Sequence, residues 1–217
     1  MRIKDLNFDK VFLINLPHNT DRLARSKSFL EQWELNFEIF EGLYAKNLQL
    51  RHTDTKFTPG MVGCFMSHFS IFHRAVSEGW NTIMVLEDDF EPVPGFDFLF
   101  EKAWKEVPED WEFIWLGYTI HDKVNKRAIA HHNQYWITSP SLWGTQCYIV
   151  RGPSAIRKIY EDLKTMHDQI DLQLVQRTLP RAEIRQYCIF PSAVGQVGGS
   201  TDVQQVKTQK IQTLDDF

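Results

Sequence analysis

Three consecutive carboxylates, Glu87-Asp88-Asp89, stand directly after the apolar run Ile83-Met84-Val85-Leu86. Like charges this close raise one another's pKa unless a cation or strong donors compensate. Hard oxygen ligands of this kind suit Mg²⁺ or Mn²⁺, which keep waters and bind substrate phosphates as well. A nucleoside-diphosphate leaving group needs such a cation, because charge develops on the diphosphate as the sugar bond breaks. The competing reading is a solvated turn that caps a helix after Pro94. The run by itself leaves both open. A second cluster of chemistry-bearing residues, His121, His131 and His132, falls in the polar stretch 119–134. It reads as a solvated loop, without a convincing set of four zinc ligands.

The elements that must position these residues follow from periodicity. Val11-Phe12-Leu13-Ile14 is a continuous apolar run, as in a strand buried on both faces. After a break at Asn15-Leu16-Pro17-His18-Asn19, residues 21–33 read as a helix with Leu23, Leu30 and Trp33 on one face. Asn19 or Asp21 can satisfy the free amides at its start. A short strand is expected near 37–40. The best helical pattern covers 62–76, behind the turn Thr58-Pro59-Gly60, and Gly79 stops it. Residues 83–86 form another doubly buried strand, with the acids at its carboxyl end, where ligands bind in α/β sheets. Residues 111–116 read as a strand with Trp111, Phe113 and Trp115 on one face, as core and not as a sugar platform. A strand at 146–150 leads through Gly152-Pro153 into a helix at 154–163, a shorter helix follows Asp168, and 185–190 is a last strand. Buried strands alternating with amphipathic helices predict an α/β sandwich around a mostly parallel sheet.

Size and composition set the bounds. The 217 residues fit one domain, expected at 1–200, with a polar tail at 201–217. A net charge of −4 argues against nucleic acid as a partner, which would require a basic patch or stripe. Aromatic residues reach 13%, which fits sugar-stacking surfaces and a Phe-rich core equally well. Cys64, Cys147 and Cys188 are far apart and odd in number, forming neither a metal-binding pair nor a disulfide framework. A reducing, cytoplasmic compartment is expected. The polar start Met1-Arg2-Ile3-Lys4-Asp5 precedes an apolar run far short of the roughly 20 residues that span a bilayer. No signal peptide or transmembrane helix is expected, and membrane contact is at most peripheral.

Four groups of residues, taken together, resemble glycosyltransferase family 25, which includes lipopolysaccharide and collagen galactosyltransferases. Val11-Phe12-Leu13-Ile14-Asn15-Leu16 with Asp21-Arg22 looks like that family's first donor-binding turn. Gly63-Cys64-Phe65-Met66-Ser67-His68 looks like its glycine-cysteine-x-x-serine-histidine helix, and Leu86-Glu87-Asp88-Asp89 like its acidic metal motif. Gly144 to Val150, Asp171-Leu172-Gln173-Leu174, and Pro191 with Gln196 and Ser200 look like its C-terminal blocks. The resemblance implies a GT-A-type fold, a UDP-hexose donor (most often UDP-galactose) and transfer with inversion. Met61 stands where the family often carries an acid, and the chain is on the short side, so the acceptor stays open. Lipooligosaccharide, another surface glycan and a hydroxylysine-bearing protein are all compatible.

The same resemblance implies roles. Asp89 is expected to ligate Mn²⁺ or Mg²⁺, with Glu87 and Asp88 binding the donor. Inversion by single displacement needs a carboxylate to take the acceptor proton. Asp171 is the first candidate and Asp168 the second, although Asp168 also suits a helix cap. Asn15 and Arg22 flank the first turn, where the Arg22 fork can pair with diphosphate or lie on the solvent face. Ser67 and His68 serve either the donor site or the packing of their helix, and His68 is not expected as a metal ligand. Gln196 and Ser200 are candidates for donor or acceptor contact, and Gly195, Gly198 and Gly199 suggest a segment that closes over it. The expected partners are a nucleotide sugar and a glycan acceptor, free or lipid-linked. The rival is a catalytically silent relative that binds sugar or protein. A Rossmann dehydrogenase or P-loop enzyme is disfavoured, because neither glycine motif is present.

Overall fold

The continuous apolar runs become the central strands of one mixed sheet. In the computed structural model, which describes residues 1–44, 56–120 and 129–197, β1 (Lys10–Asn15) pairs in parallel with β2 (Glu38–Glu41) and β3 (Thr82–Glu87). β8 (Leu142–Arg151) inserts antiparallel between β3 and β5 (Phe113–Ile120), and β9 (Gln186–Ile189) runs parallel to β5. With β7 (Trp136–Thr138) and β6 (Ala130–His131) at the far edge, the order is β2-β1-β3-β8-β5-β9-β7-β6. β10 (Val194–Gln196) joins the same sheet parallel to β5, with Val194 opposite Gly117, and β4 (Phe90–Pro92) pairs antiparallel with β10.

The runs are continuous because both faces of the sheet are covered. Side chains alternate along a strand, so Ile83 and Val85 of β3 join one core while Met84 and Leu86 join the other. The first core is closed by α2 (Pro59–Glu78), α4 (Pro153–Leu163) and α5 (Ile170–Gln173). The second is closed by α1 (Thr20–Gln32), through Leu30, and α3 (Phe96–Trp104), through Phe96 and Phe100. Phe72 of α2 is fully buried, and truncation to alanine at such a site costs about 3–5 kcal/mol. α2 starts three residues before the expected 62 and takes in Pro59 and Gly60, because Thr58 is its N-cap: Thr58 Oγ1 accepts from Met61 N at 3.2 Å, and the helix ends at Gly79 with φ +69°.

Several expectations need correction. Trp111 precedes β5 and packs in the second core, whereas Phe113 and Trp115 pack in the first, so the three aromatics do not share a face. The 119–134 stretch is not all loop, since β5 runs to Ile120 and Ala130–His131 pairs with β7. His131 and His132 set their rings edge-on to Phe190 and Tyr187. His121 lies outside the described residues, as do Gly198, Gly199, Ser200 and the expected tail. Asp168 does not cap α5, because Gln169 holds that position, without a side-chain cap bond. After α5 the chain continues as a π-helical stretch, Leu174–Thr178, into α6 (Leu179–Arg181).

Candidate active site

β1 and β3 run parallel with Ile14 opposite Glu87, so Asn15 and the acidic run leave the sheet side by side. β8 arrives from the other flank with Cys147 opposite Leu86, which brings Gly144-Thr145-Gln146 to the same end. Asp88 and Asp89 are 7% and 5% exposed, and α3 has Gly95 at its N-cap. The acids are therefore not a solvated helix cap.

Each acid has a different environment. Asp88 Oδ1 accepts from Arg22 Nη1 and Oδ2 from Asn19 Nδ2, both at 3.3 Å, and its carbonyl accepts from Ser26 Oγ at 2.7 Å. These bonds fasten α1 to the acidic run. Asn19 accordingly makes no side-chain cap for α1, contrary to the sequence expectation. Asp89 Oδ2 accepts from Gln196 Nε2 at 2.8 Å, while Oδ1 is buried without a partner. Glu87 Oε1 accepts from Thr145 Oγ1, and from His68 Nε2 at 3.3 Å. A carboxylate can only accept here, so His68 carries a proton on Nε2, and its Nδ1 lies 2.8 Å from Tyr148 Oη in a second hydrogen bond.

The electrostatics follow from these contacts. Burial pushes Glu87 up, but the His68 and Thr145 donors outweigh it and hold the group below the ordinary carboxylate range. Burial raises Asp88, against the pull of Arg22. Asp89 is pushed up to about 7, first by burial and then by the charge of Glu87. A buried carboxylate oxygen with no donor, beside two more acids, is the place where a cation would relieve the most free energy. The donor set is all oxygen, so the residues could hold a hard divalent cation, with the open oxygen of Asp89 as the first ligand and Asp88 beside it.

The remaining candidates divide. Asp171, at the start of α5, accepts from Gly144 N through Oδ2 at 2.7 Å and from Leu172 N through Oδ1 at 2.8 Å. Burial raises its pKa, opposed by those two amides, and the Glu87 charge reaches it. Gly144 has φ +88°, and a Cβ there would come within 2.3 Å of the Gln146 side chain, so only glycine fits. Asp168 is half-exposed beside Lys56 at 3.5 Å, with no bond to the acidic run among the described residues. Asn15 is buried; Nδ2 donates to Leu16 O at 2.8 Å and Oδ1 has no partner. Ser67 Oγ donates to Gly63 O at 2.8 Å and accepts from Leu43 N at 2.9 Å, tying the chain after β2 to α2. Gln146, not singled out from the sequence, is 2% exposed with Oε1 unpartnered. An uncharged residue inside a strand or a helix gives no signal in periodicity or charge, and the same holds for Thr145 of β8 and Ser26 of α1.

A mixed sheet covered by helices on both faces, with acids at the carboxyl end of its parallel half, is a GT-A-type glycosyltransferase domain. The family described as Glycosyltransferase family 25 (LPS biosynthesis protein) matches residues 8–174, and the chain belongs to it. Procollagen galactosyltransferase 1-B of Xenopus laevis is 29% identical over 135 residues, covering 52% of this chain and 21% of that protein. Inactive glycosyltransferase 25 family member 3 of Homo sapiens is 30% identical over 169 residues, covering 69% and 28%. The chain thus spans less than a third of the length of either relative. A glycosyltransferase involved in glycosylation of the major capsid of PBCV-1 shares the fold, with a TM-score of 0.51 at 10% identity over 89% of this chain and 94% of that one. Among the described residues no helix is long and apolar enough to cross a membrane.

Proposed function

We propose that the chain is a metal-dependent, inverting hexosyltransferase. It moves galactose, by preference, from a UDP-sugar to a hydroxyl of a glycan acceptor such as lipooligosaccharide. The observation that carries this reading is the unpartnered, buried Oδ1 of Asp89 beside Asp88. Asp89 and Asp88 would hold Mn²⁺ or Mg²⁺, which when bound neutralises charge developing on the diphosphate. Gln196 fixes Asp89 through Oδ2, and Arg22 adds a cation beside Asp88. Asn15 and Gln146 offer unmet acceptors to donor hydroxyl or N–H groups. His68 and Ser67 act by holding Glu87 and the chain after β2.

Asp171 takes the proton of the acceptor hydroxyl. Its bond from Gly144 fixes Oδ2, and burial makes it a stronger base than a solvated aspartate. Asp168, half-exposed and paired with Lys56, is the second candidate for this role. Three free cysteines support a reducing, cytoplasmic setting, with peripheral membrane contact through a lipid-linked acceptor. The human relative's name, with the word inactive in it, favours a second reading as a silent binding module.

Calorimetry with UDP-galactose, UDP-glucose and UDP-N-acetylglucosamine, with Mn²⁺ and with EDTA, separates the two. Binding that needs both the metal and Asp89, lost in Asp89→Ala, is the expected result. A folded protein that binds none of these sugars would sink the transferase reading.

A further inference from the structure

A second set of donor atoms stands beside the acidic run. α2 places Cys64 and His68 one turn apart on one face. One ligand atom each from Cys64, His68 and Glu87 lie within 4.8 Å of one another. Cys64 and Glu87 are partly exposed, so the group is reachable, whereas Cys147 and Cys188 are buried. Burial first, and then the charges of Glu87, Asp171 and Asp89, push the Cys64 thiol up, and those three carboxylates favour a cation beside it. Tyr148 Oη, 2.8 Å from His68 Nδ1, supplies the outer partner that orients a ligating imidazole.

We propose that Cys64, His68 and Glu87 form a site for a thiophilic divalent cation of the zinc class, separate from the oxygen-only Asp88–Asp89 position. Sulfur and imidazole ligands select zinc over Mn²⁺ or Mg²⁺, and three protein ligands leave a fourth position for water. Zinc–sulfur and zinc–nitrogen bonds of about 2.3 and 2.0 Å put tetrahedral donors roughly 3.5 Å apart, so closure needs side-chain shifts of about 1 Å. On binding, the thiol gives its proton to solvent. As a ligand through Nε2, His68 is neutral with its one proton on Nδ1, where Tyr148 Oη accepts it, and any proton lost from Nε2 goes to solvent. Glu87 leaves Thr145 for the cation, and the added positive charge beside Asp88–Asp89 opposes a second cation there, which makes zinc an antagonist of Mn²⁺.

Cobalt(II) is the probe, because a cysteine ligand gives a sulfur-to-cobalt charge-transfer band that oxygen ligands do not. One equivalent of Co²⁺ should raise this band in the wild type, and Zn²⁺ should displace it. The band should vanish in Cys64→Ser and persist in Asp89→Asn. Zinc affinity, measured against a chromophoric chelator, should fall at least tenfold in Cys64→Ser, with Cys64→Ala as the second variant should the first fail to fold. A wild type without the band, or a band that survives loss of Cys64, overturns the proposal. Loss of the band in Asp89→Asn overturns the separation of the two sites. The readout is spectroscopic, so its failure says nothing against the transferase reading.

Discussion

The two ends of the sheet treat their charged groups in opposite ways. At the amino end, Asp9 Oδ2 accepts from Asn81 N at 2.7 Å and Thr82 N at 2.9 Å. Arg151 lies 4.2 Å over the Trp111 ring and donates to Trp111 O and Glu109 O. Asp110 accepts from Tyr187 Oη at 2.9 Å and from Arg185, and the Tyr187 bond first, then Arg185, hold it below the ordinary carboxylate range. At the carboxyl end, Asp88, Asp89 and Asp171 are all raised, and Asn15, Asp89 and Gln146 each keep an unpartnered oxygen. Glu87, held down by His68 and Thr145, is the matched acid of that end. The amino end is matched within the protein throughout these groups. The other is left unmatched, which stability alone does not explain and ligand binding does.

The sharpest way to test that contrast is Asp171→Asn. If the unmatched end exists for chemistry, turnover should fall about 10²–10⁴-fold, the range expected for a lost general base. UDP-sugar affinity should change little. Equal loss of affinity and turnover would instead make Asp171 a binding residue.

Asp89→Asn comes next, read as stability in EDTA. Asp89 is pushed up to about 7 from an ordinary 3.8. Its protonated form is favoured in the folded state, so stability is fully present below the unfolded value and lost as pH rises through about 7. The loss is on the order of 4 kcal/mol, at about 1.4 kcal/mol per pKa unit. Chemical denaturation between those limits should show the wild type losing stability and Asp89→Asn losing less. Mn²⁺ should restore the wild type at neutral pH. Parallel curves for the two proteins would mean that Asp89 is not the strained group.

Much of this layout was legible in the sequence, for physical reasons. Doubly buried strands such as β1 and β3 must be apolar on both faces, and α2 must keep its period under Thr58 and Gly79, so both stand out. The acidic run was visible because charge after a buried strand is rare. β4, β6 and β10 have two or three residues each, too few to show a period. Asn19 and Ser26 were invisible as partners of Asp88, because their bonds cross 69 and 62 positions of chain. Trp111 was placed on the wrong side because the alternation of β5 begins only at Phe113.

Asp9→Ala tests the matched end. Removing a charged acceptor of two backbone amides should destabilise by about 1–3 kcal/mol, seen as a lower Tm. Turnover per folded molecule should stay as in the wild type. Loss of turnover at permissive temperature would mean that the two ends are coupled, contrary to the comparison.

The smallest effect is also the one with the most informative sign. Asp110 is lowered, so its contribution is present above the unfolded carboxylate pKa and lost as pH falls through its folded value. Its ion pair with Arg185 is largely exposed, and such pairs contribute less than about 1 kcal/mol and are screened by salt. Asp110→Asn should therefore destabilise slightly at pH 7, by an amount that shrinks in acid and at high salt. Asp89→Asn should do the reverse at the same pH, stabilising the metal-free protein. Both are single aspartate-to-asparagine changes in one chain, so only their surroundings can give them opposite signs. If denaturation at pH 7 shows both moving stability the same way, the division of the sheet into a matched and an unmatched end fails.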